Sequence, residues 1–330
     1  MVEKKKKGVI FLLIKARGIP IWIQCLEALL RLLPQNHRVI PDINRNLKYR
    51  RKGYNGEKSS DYYANLLDKT EFLILHDLSL FHNKLHFQID TLILTTRFLL
   101  IIEIKCLEGE LYFNHETGQL TVSHHQTVTG ADNPLIQALN HCTQLKGWFR
   151  DRKMIEVPME HLAIISNTQS VIRCSNYETA RHVGTDKSLP LKVMELSKRY
   201  KKELLTEKEV KRIAKALKKV HSPQPINILG FYKLKPEELL NYIACPNCGY
   251  RPMVRFRGYW HCKICYVNSK DAHVGVISDH LLVKGNRITN LECRLILGID
   301  SLKLANKMLT SMDLNREGKT KGRRYTLKLT

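Results

Sequence analysis

Two groups of residues in this 330-residue chain have the types and spacing for chemistry. The first is a duplicated C-x-x-C motif, Cys245-Pro-Asn-Cys248 and Cys262-Lys-Ile-Cys265, with 13 residues between the pairs. Each pair sets two thiolates at the tip of a tight turn, and two such turns face to face make a tetrahedral sulfur cage for Zn2+. Gly249 gives the first turn its backbone freedom, and the segment 253–261 between the turns has strand-like composition, as in a zinc ribbon. Four thiolates leave no open coordination position, so this zinc is expected to be structural. His261 and His273 nearby read as surface histidines, not as further ligands.

The second group lies in the run Phe98-Leu-Leu-Ile-Ile-Glu-Ile-Lys-Cys106. Strand side chains alternate, so Glu103 and Lys105 share one face of an otherwise apolar strand. Burying either charge is costly unless it is paired. One strand upstream, Gln88-Ile-Asp90 brings a second carboxylate. Two carboxylates on adjacent strands can hold Mg2+ (or Mn2+) through oxygen ligands, and a lysine beside them can orient or deprotonate a water. These are the parts of phosphodiester hydrolysis. The plainer alternative is a Glu–Lys ion pair at a strand end. The paired histidines His124-His125 and His82…His86 lack ligand spacing and read as surface residues.

The elements that would position these groups are legible from periodicity. Ile19–Leu33 has helical spacing and stops at Pro34, and the polar stretch Gln35–Lys52 reads as a linker. A second helix is expected from Gly53 to about Leu67, then strands over Glu71–His76, Gln88–Thr95 and Phe98–Cys106. A polar, hairpin-rich segment, Glu108–Val128, precedes a helix that opens at Asn133-Pro134 and runs to Phe149. Leu162–Ser166 is a further strand, and a capped amphipathic helix starts at Thr206. This order implies an α/β core with a mixed sheet flanked by helices.

Residues 53–150 resemble the nuclease-related domain family, which is itself similar to the Mg2+-dependent PD-(D/E)xK nucleases. The matching residues are Gly56-Glu57, Gln88-Ile-Asp90, Glu103-Ile-Lys105 and Asn133-Pro-Leu-Ile-Gln137. The resemblance implies a restriction-endonuclease-like fold, with Asp90 and Glu103 as metal ligands and Lys105 as the water-positioning base or charge stabiliser. It further implies that Glu57 completes the site from the preceding helix and that Gln137 orients groups from the later one. Read without it, Glu57 is an early-turn carboxylate favoured by the helix dipole, and Gln137 a solvated helix position.

Composition narrows the partner. With 43% hydrophobic residues the chain can bury a core, and its net charge of +23 favours a polyanion, nucleic acid above all. The charge is concentrated: residues 1–52 carry a surplus of ten, 245–265 of four and 301–330 of six. At the C-terminus two short helices, Asn290–Leu297 and Asp300–Met312, precede a strand, a basic turn and a strand, which resembles a winged helix-turn-helix. Lys303 and Lys307 would face the major groove, with Arg316, Lys319, Lys321, Arg323 and Arg324 on or beside the wing gripping backbone phosphates; the plain alternative is a frayed basic tail.

Nine cysteines, five of them scattered without pattern (Cys25, Cys106, Cys142, Cys174 and Cys293), point to a reducing compartment. The apolar run Gly8–Ile14 is too short for a signal peptide and no stretch approaches the roughly 20 apolar residues of a membrane span, so the expected location is the cytoplasm. The expected modules are a basic helical extension and linker (1–52), a nuclease-related α/β domain (53–222), a zinc ribbon (223–270) and a winged-helix-like module (271–330). The function expected of them is a Mg2+-dependent nuclease acting on DNA in its processing or repair. The alternative is a non-catalytic DNA-binding or regulatory protein on the same scaffold, and peripheral membrane binding through residues 1–33 is a weaker third.

Overall fold

The apolar run around Glu103 becomes the central strand of a five-stranded sheet in the computed structural model, which describes residues 13–319 and 322–328. In chain order the elements begin with α1 (Ile21–Leu32), α2 (Ile40–Ala64), β1 (Leu73–His82), β2 (Leu85–Leu94), β3 (Leu99–Lys105), β4 (Glu110–Phe113), β5 (Leu120–His124) and β6 (Thr127–Ala131). Then follow α3 (Pro134–Asp151), β7 (Met159–Ile165), β8 (Val171–Cys174), α4 (Tyr177–Arg181), β9 (Val183–Thr185), α5 (Leu189–Arg199), α6 (Glu207–Lys219) and α7 (Ile228–Phe231). The C-terminal part contains β10 (Val254–Phe256), β11 (Tyr259–His261), β12 (Asn268–Ser269), α8 (Ala272–Val283), β13 (Ile288–Thr289), α9 (Asn290–Leu297), α10 (Leu302–Ser311), β14 (Leu314–Glu317) and β15 (Arg324–Leu327). Two units result: the segment ending at Gly18 with Lys52–Gln224, and Ile19–Arg51 with Pro225–Thr330. No helix among the described residues is long and apolar enough to cross a membrane.

In the first unit the sheet order is β1-β2-β3-β7-β9. The first three strands form an antiparallel meander, and β3, β7 and β9 are parallel, so the sheet is mixed. Its strands are buried on both faces, which is why β3 reads as an unbroken apolar run rather than an alternation. Leu99 and Ile101 pack with Ala138, Cys142 and Leu145 of α3 and Ile213 and Leu217 of α6. Leu100, Ile102 and Ile104 pack the other way, with Ala64 at the end of α2 and Leu189, Val193 and Leu196 of α5. Helix α3 starts at the expected cap, Asn133 accepting from the Leu135 amide with Pro134 in the first turn. Helix α6 is capped at Thr206 as expected, through a capping box with Glu209. A smaller sheet, β6-β5-β4-β8, occupies the hairpin-rich segment.

Several local expectations differ from what forms. Most of the stretch read as a linker, from Ile40 on, is the first half of α2: Val39 just before it and Ile43 and Leu47 within it, four apart, are buried, a stripe the surrounding charges hide in the sequence. Strand β1 runs on to His82 and pairs with β2 through the two-residue turn Asn83-Lys84, whose φ angles of 48° and 63° fit a hairpin turn although no glycine announces it. Histidine exposure also varies. His124 and His125 are exposed, but His82 is largely buried and 2.7 Å from Asp151 Oδ2.

In the second unit α1 packs on α8, with Arg31 donating twice to Asp279 at 2.8 and 2.7 Å. A three-stranded sheet, β10-β11-β12, holds the paired cysteine turns, and a second, β13-β15-β14, closes the C-terminal segment. His273, expected at the surface, is only 6% exposed and accepts from Trp260 Nε1 at 3.2 Å. Helix α9 opens with a capping box of Thr289 and Glu292 and ends at Gly298 in the left-handed conformation, and Ser301 caps α10.

Candidate functional site

Strand β2 brings Asp90 to β3 where the two strands part. Their ladder runs from Leu94↔Leu99 to Thr91↔Ile102. One step further, the Asp90 carboxylate replaces a main-chain acceptor, taking the Ile104 amide at 2.9 Å. The β1–β2 ladder is interrupted at the same place: His76↔Thr91 and Leu78↔Ile89 pair, and Asp77 between them has φ 53°. A non-glycine residue in that region is uncommon, and here it twists the hairpin so that Leu73, Leu75, Leu78 and Leu80 all reach one core.

Glu103 lies on the face of β3 that meets α3. It is 1% exposed, and its Oε1 is 2.7 Å from His141 Nδ1. Helix α3 places His141 one turn after Gln137, so the two share a face; Gln137 itself is half-buried. Lys105 is half-buried and forms no ion pair among the described residues, so the plain strand-end pair with Glu103 is not what the structure contains. Burial raises the pKa of both Glu103 and Asp90, and the positive charge of Lys105 offsets part of that rise.

Helix α2 delivers Glu57 to the same end of the sheet. Gly56 makes this approach feasible: a Cβ there would sit 2.3 Å from Ser166 Oγ and 2.9 Å from Cys106 Cβ, at the ends of the neighbouring strands. Among the site residues not foreseen from sequence, Arg17 makes the most contacts. Its guanidinium, 3% exposed, donates to Glu57 Oε2 at 2.7 Å, to both carboxylate oxygens of Asp61 at 2.9 Å, and to the Asp90 carbonyl at 2.9 Å. Asp61, one turn after Glu57, also lies 3.1 Å from His76 Nδ1. Lys15 runs beside Leu75 as a parallel bridge and donates to the carbonyls of His76 and Asp77. The signal for Arg17 was present as the alternation Ile14-Lys15-Ala16-Arg17, which puts both cations on one face of an extended segment.

Three carboxyls are raised to about 8. For Asp90 burial is the main cause, then repulsion from Glu103; for Glu57 burial, then repulsion from Asp90; for Glu103 burial, with Glu57 adding repulsion. Burial alone would lower the Arg17 pKa, and hydrogen bonding to Asp61 with the charge of Glu57 more than reverses it. Without a bound cation, burial and mutual repulsion therefore hold these carboxyls back from ionising at neutral pH. Hard oxygen donors crowded in this way fit a divalent cation such as Mg2+. Asp90 and Glu103 each have one oxygen held, by the Ile104 amide and by His141, which fixes the orientation of the other.

Arg17 gives a direct test of this electrostatic arrangement. Arg17→Leu strands Glu57 and Asp61, and breaking a buried pair costs about 3 kcal/mol. Chemical denaturation should show that loss in full near pH 9 and a smaller one near pH 6, where Glu57, raised to about 8 chiefly by burial, is protonated. An unchanged midpoint at both pH values would mean the guanidinium is not holding this cluster.

The four cysteines meet as expected. Their sulfurs all lie within 4.8 Å of one another, with Cys245–Cys265 and Cys248–Cys262 at 3.5 Å. Zn–S bonds of about 2.3 Å put tetrahedral sulfurs ~3.8 Å apart, so the cage fits Zn2+. The two turns are alike: Gly249 N donates to Cys245 O and Tyr266 N to Cys262 O, and both residues have left-handed φ, 73° and 58°. Amide hydrogen bonds, that of Val267 foremost, pull the Cys265 thiol down to about 6. For Cys248 the Tyr250 amide also lowers the pKa, but burial and the three neighbouring sulfurs outweigh it and push it up to about 12. A bound cation would favour the thiolate form instead.

The C-terminal basic residues are placed unequally. Lys303 and Lys307 are exposed on α10, and Lys319 and Arg324 are exposed on the β14–β15 hairpin. Arg316 is exposed but donates to Thr310 O, and Arg323 folds back onto the carbonyls of Gly318 and Lys319. Lys321 lies outside the described residues.

No curated protein and no solved structure matches this chain. One family model does, over residues 52–172. That span begins within α2 before Gly56 and Glu57, crosses Asp90, Glu103, Lys105 and Gln137, and ends in β8. On that match the chain carries a nuclease-related domain, followed in sequence by a four-cysteine cluster suited to zinc.

Proposed function

We propose that the protein is a metal-dependent nuclease that hydrolyses phosphodiester bonds of DNA, with Asp90 and Glu103 holding Mg2+ (or Mn2+). The observation that carries this reading is the meeting of Asp90, Glu103 and Glu57 at one end of the sheet, all raised to about 8. Perturbed carboxyls of this kind mark sites built for chemistry. When bound, the cation supplies charge stabilisation for the phosphate and a more acidic water. The chain's own residues do the rest. His141 and the Ile104 amide orient Glu103 and Asp90, Lys105 positions or deprotonates the water, and Arg17 keeps Glu57 at the site. Gln137, on the face of α3 shared with His141, orients groups at the edge of the same site.

The second reading is a non-catalytic nucleic-acid-binding protein. Arg17 favours it, because a protein cation already pairs with Glu57 and Asp61. One experiment separates the two: purified protein incubated with linear, circular and single-stranded DNA, with Mg2+, Mn2+ or EDTA. Cleavage with metal and none with EDTA supports the nuclease. Intact DNA under every metal, with DNA still bound, supports the second reading.

Under both readings residues 223–270 form a zinc ribbon and residues 271–330 a winged-helix-like module that adds affinity. The order α8, β13, α9, α10 and the hairpin β14–β15 supports the latter. Deleting residues 313–330 is expected to weaken DNA binding and flatten its dependence on salt, because fewer phosphates are neutralised. Cleavage at saturating DNA should change little. An unchanged affinity and salt slope in a titration from ~50 to 200 mM salt would remove this segment from the interface.

A further inference from the structure

One face of the small sheet β10-β11-β12 carries aromatic rings that nothing in its fold requires. Phe256 and Tyr259 are paired across β10 and β11, so their side chains stand on the same face, together with the next-but-one pair, Val254 and His261. They are 59% and 40% exposed. Tyr266, 74% exposed, extends the row, with its ring 6.2 Å from that of His261. The opposite face is the packed one. There Trp260 is 2% exposed, donates to His273 and lies under Arg255.

Two of the exposed rings have a cation beside them. Arg257 lies 5.1 Å from the Phe256 ring centre and Lys270 5.5 Å from that of Tyr259. The segment 245–270 contains Arg251, Arg255, Arg257, Lys263 and Lys270 and no acidic residue. Large exposed aromatics cost free energy in water, and a row of them rimmed by cations matches a ligand that alternates flat apolar rings with anionic groups. Unpaired nucleobases on a phosphate backbone have that pattern. A duplex offers the cations its phosphates but no open base face to the rings.

The geometry points to Phe256, Tyr259 and Tyr266 as a stacking platform for single-stranded nucleic acid, with Arg257 and Lys270 holding its phosphates. This deepens the proposed function by naming a strand-type preference, and it rests on the reading that the polyanionic partner is nucleic acid.

The test is fluorescence anisotropy of the full chain, zinc retained and no Mg2+ added, with a labelled oligothymidine of about 20 nucleotides and a duplex of equal length. Phe256→Ala with Tyr259→Ala should weaken single-strand binding by about tenfold or more, since a stacked base contributes on that scale, and leave duplex binding within about twofold. Phe256→Trp with Tyr259→Trp should restore it. Zinc content reports whether the ribbon is intact, and if the double alanine variant loses zinc, Tyr266→Asn takes its place, asparagine being tolerant of the left-handed backbone there. Unchanged single-strand affinity, or an equal loss for the duplex, would overturn the platform. Wild-type protein that binds neither oligonucleotide would instead remove nucleic acid as the partner. Cleavage is not read, so a failed nuclease assay leaves this result standing.

Discussion

Glu103→Ala is expected to lower metal-dependent DNA cleavage by roughly 1,000-fold, a loss of about 4 kcal/mol of transition-state stabilisation. The carboxylate lies 1% exposed at the end of the central strand, oriented by His141, and has Asp90 as its neighbour across the parting of β2 and β3. Alanine removes a cation ligand, and it also leaves a void and an unpaired His141. Glu103→Gln separates these effects: it keeps the volume and an acceptor for His141 while losing the negative charge. Its melting temperature should stay near wild type while its cleavage falls as far as that of the alanine variant. Lys105→Ala should lose cleavage comparably and keep DNA affinity nearly intact, because one lysine adds little to a net charge of +23. Cleavage by Glu103→Gln at the wild-type rate would show that the acidic cluster is not the reaction centre.

Loss of zinc is the second large effect. Cys262, fully buried, belongs to both the second turn and the sulfur cage, so Cys262→Ser removes a ligand and stops that turn from closing. Metal binding and folding are one equilibrium in such modules, with apparent zinc free energies of about 10–16 kcal/mol. Elemental analysis should find one zinc per wild-type chain and less in the variant. Hydrogen exchange should rise across 245–270, where the three short strands offer few ladder bonds of their own. Protection within β1, β2, β3 and β7 should be unchanged. Wild-type protein isolated without metal, with four titratable thiols in this segment, would refute a structural zinc.

Together with the ribbon's aromatic face, these outcomes assign chemistry to one unit and grip to the other.

Much of this was determined by sequence alone, wherever the information is local. Four cysteines at fixed spacing suffice for a cage, because each pair makes its own turn. Asn133-Pro134 and Thr206-x-x-Glu209 start their helices because the cap is bonded within three residues. The alternation that places Glu103 opposite Ile102 and Ile104 follows from the pleat of one strand. Only the tertiary structure decided the rest. That Arg17 clamps Glu57 and Asp61 depends on a contact across 40 or more residues. His141 reaches Glu103 only because α3 crosses the face of β3 to which Glu103 points. The first half of α2 buries only Ile43 and Leu47 among charged and polar neighbours, so its sequence reads as a linker. The carboxyls are raised to about 8 for the same reason: burial and mutual repulsion belong to no residue until the strands that carry them meet.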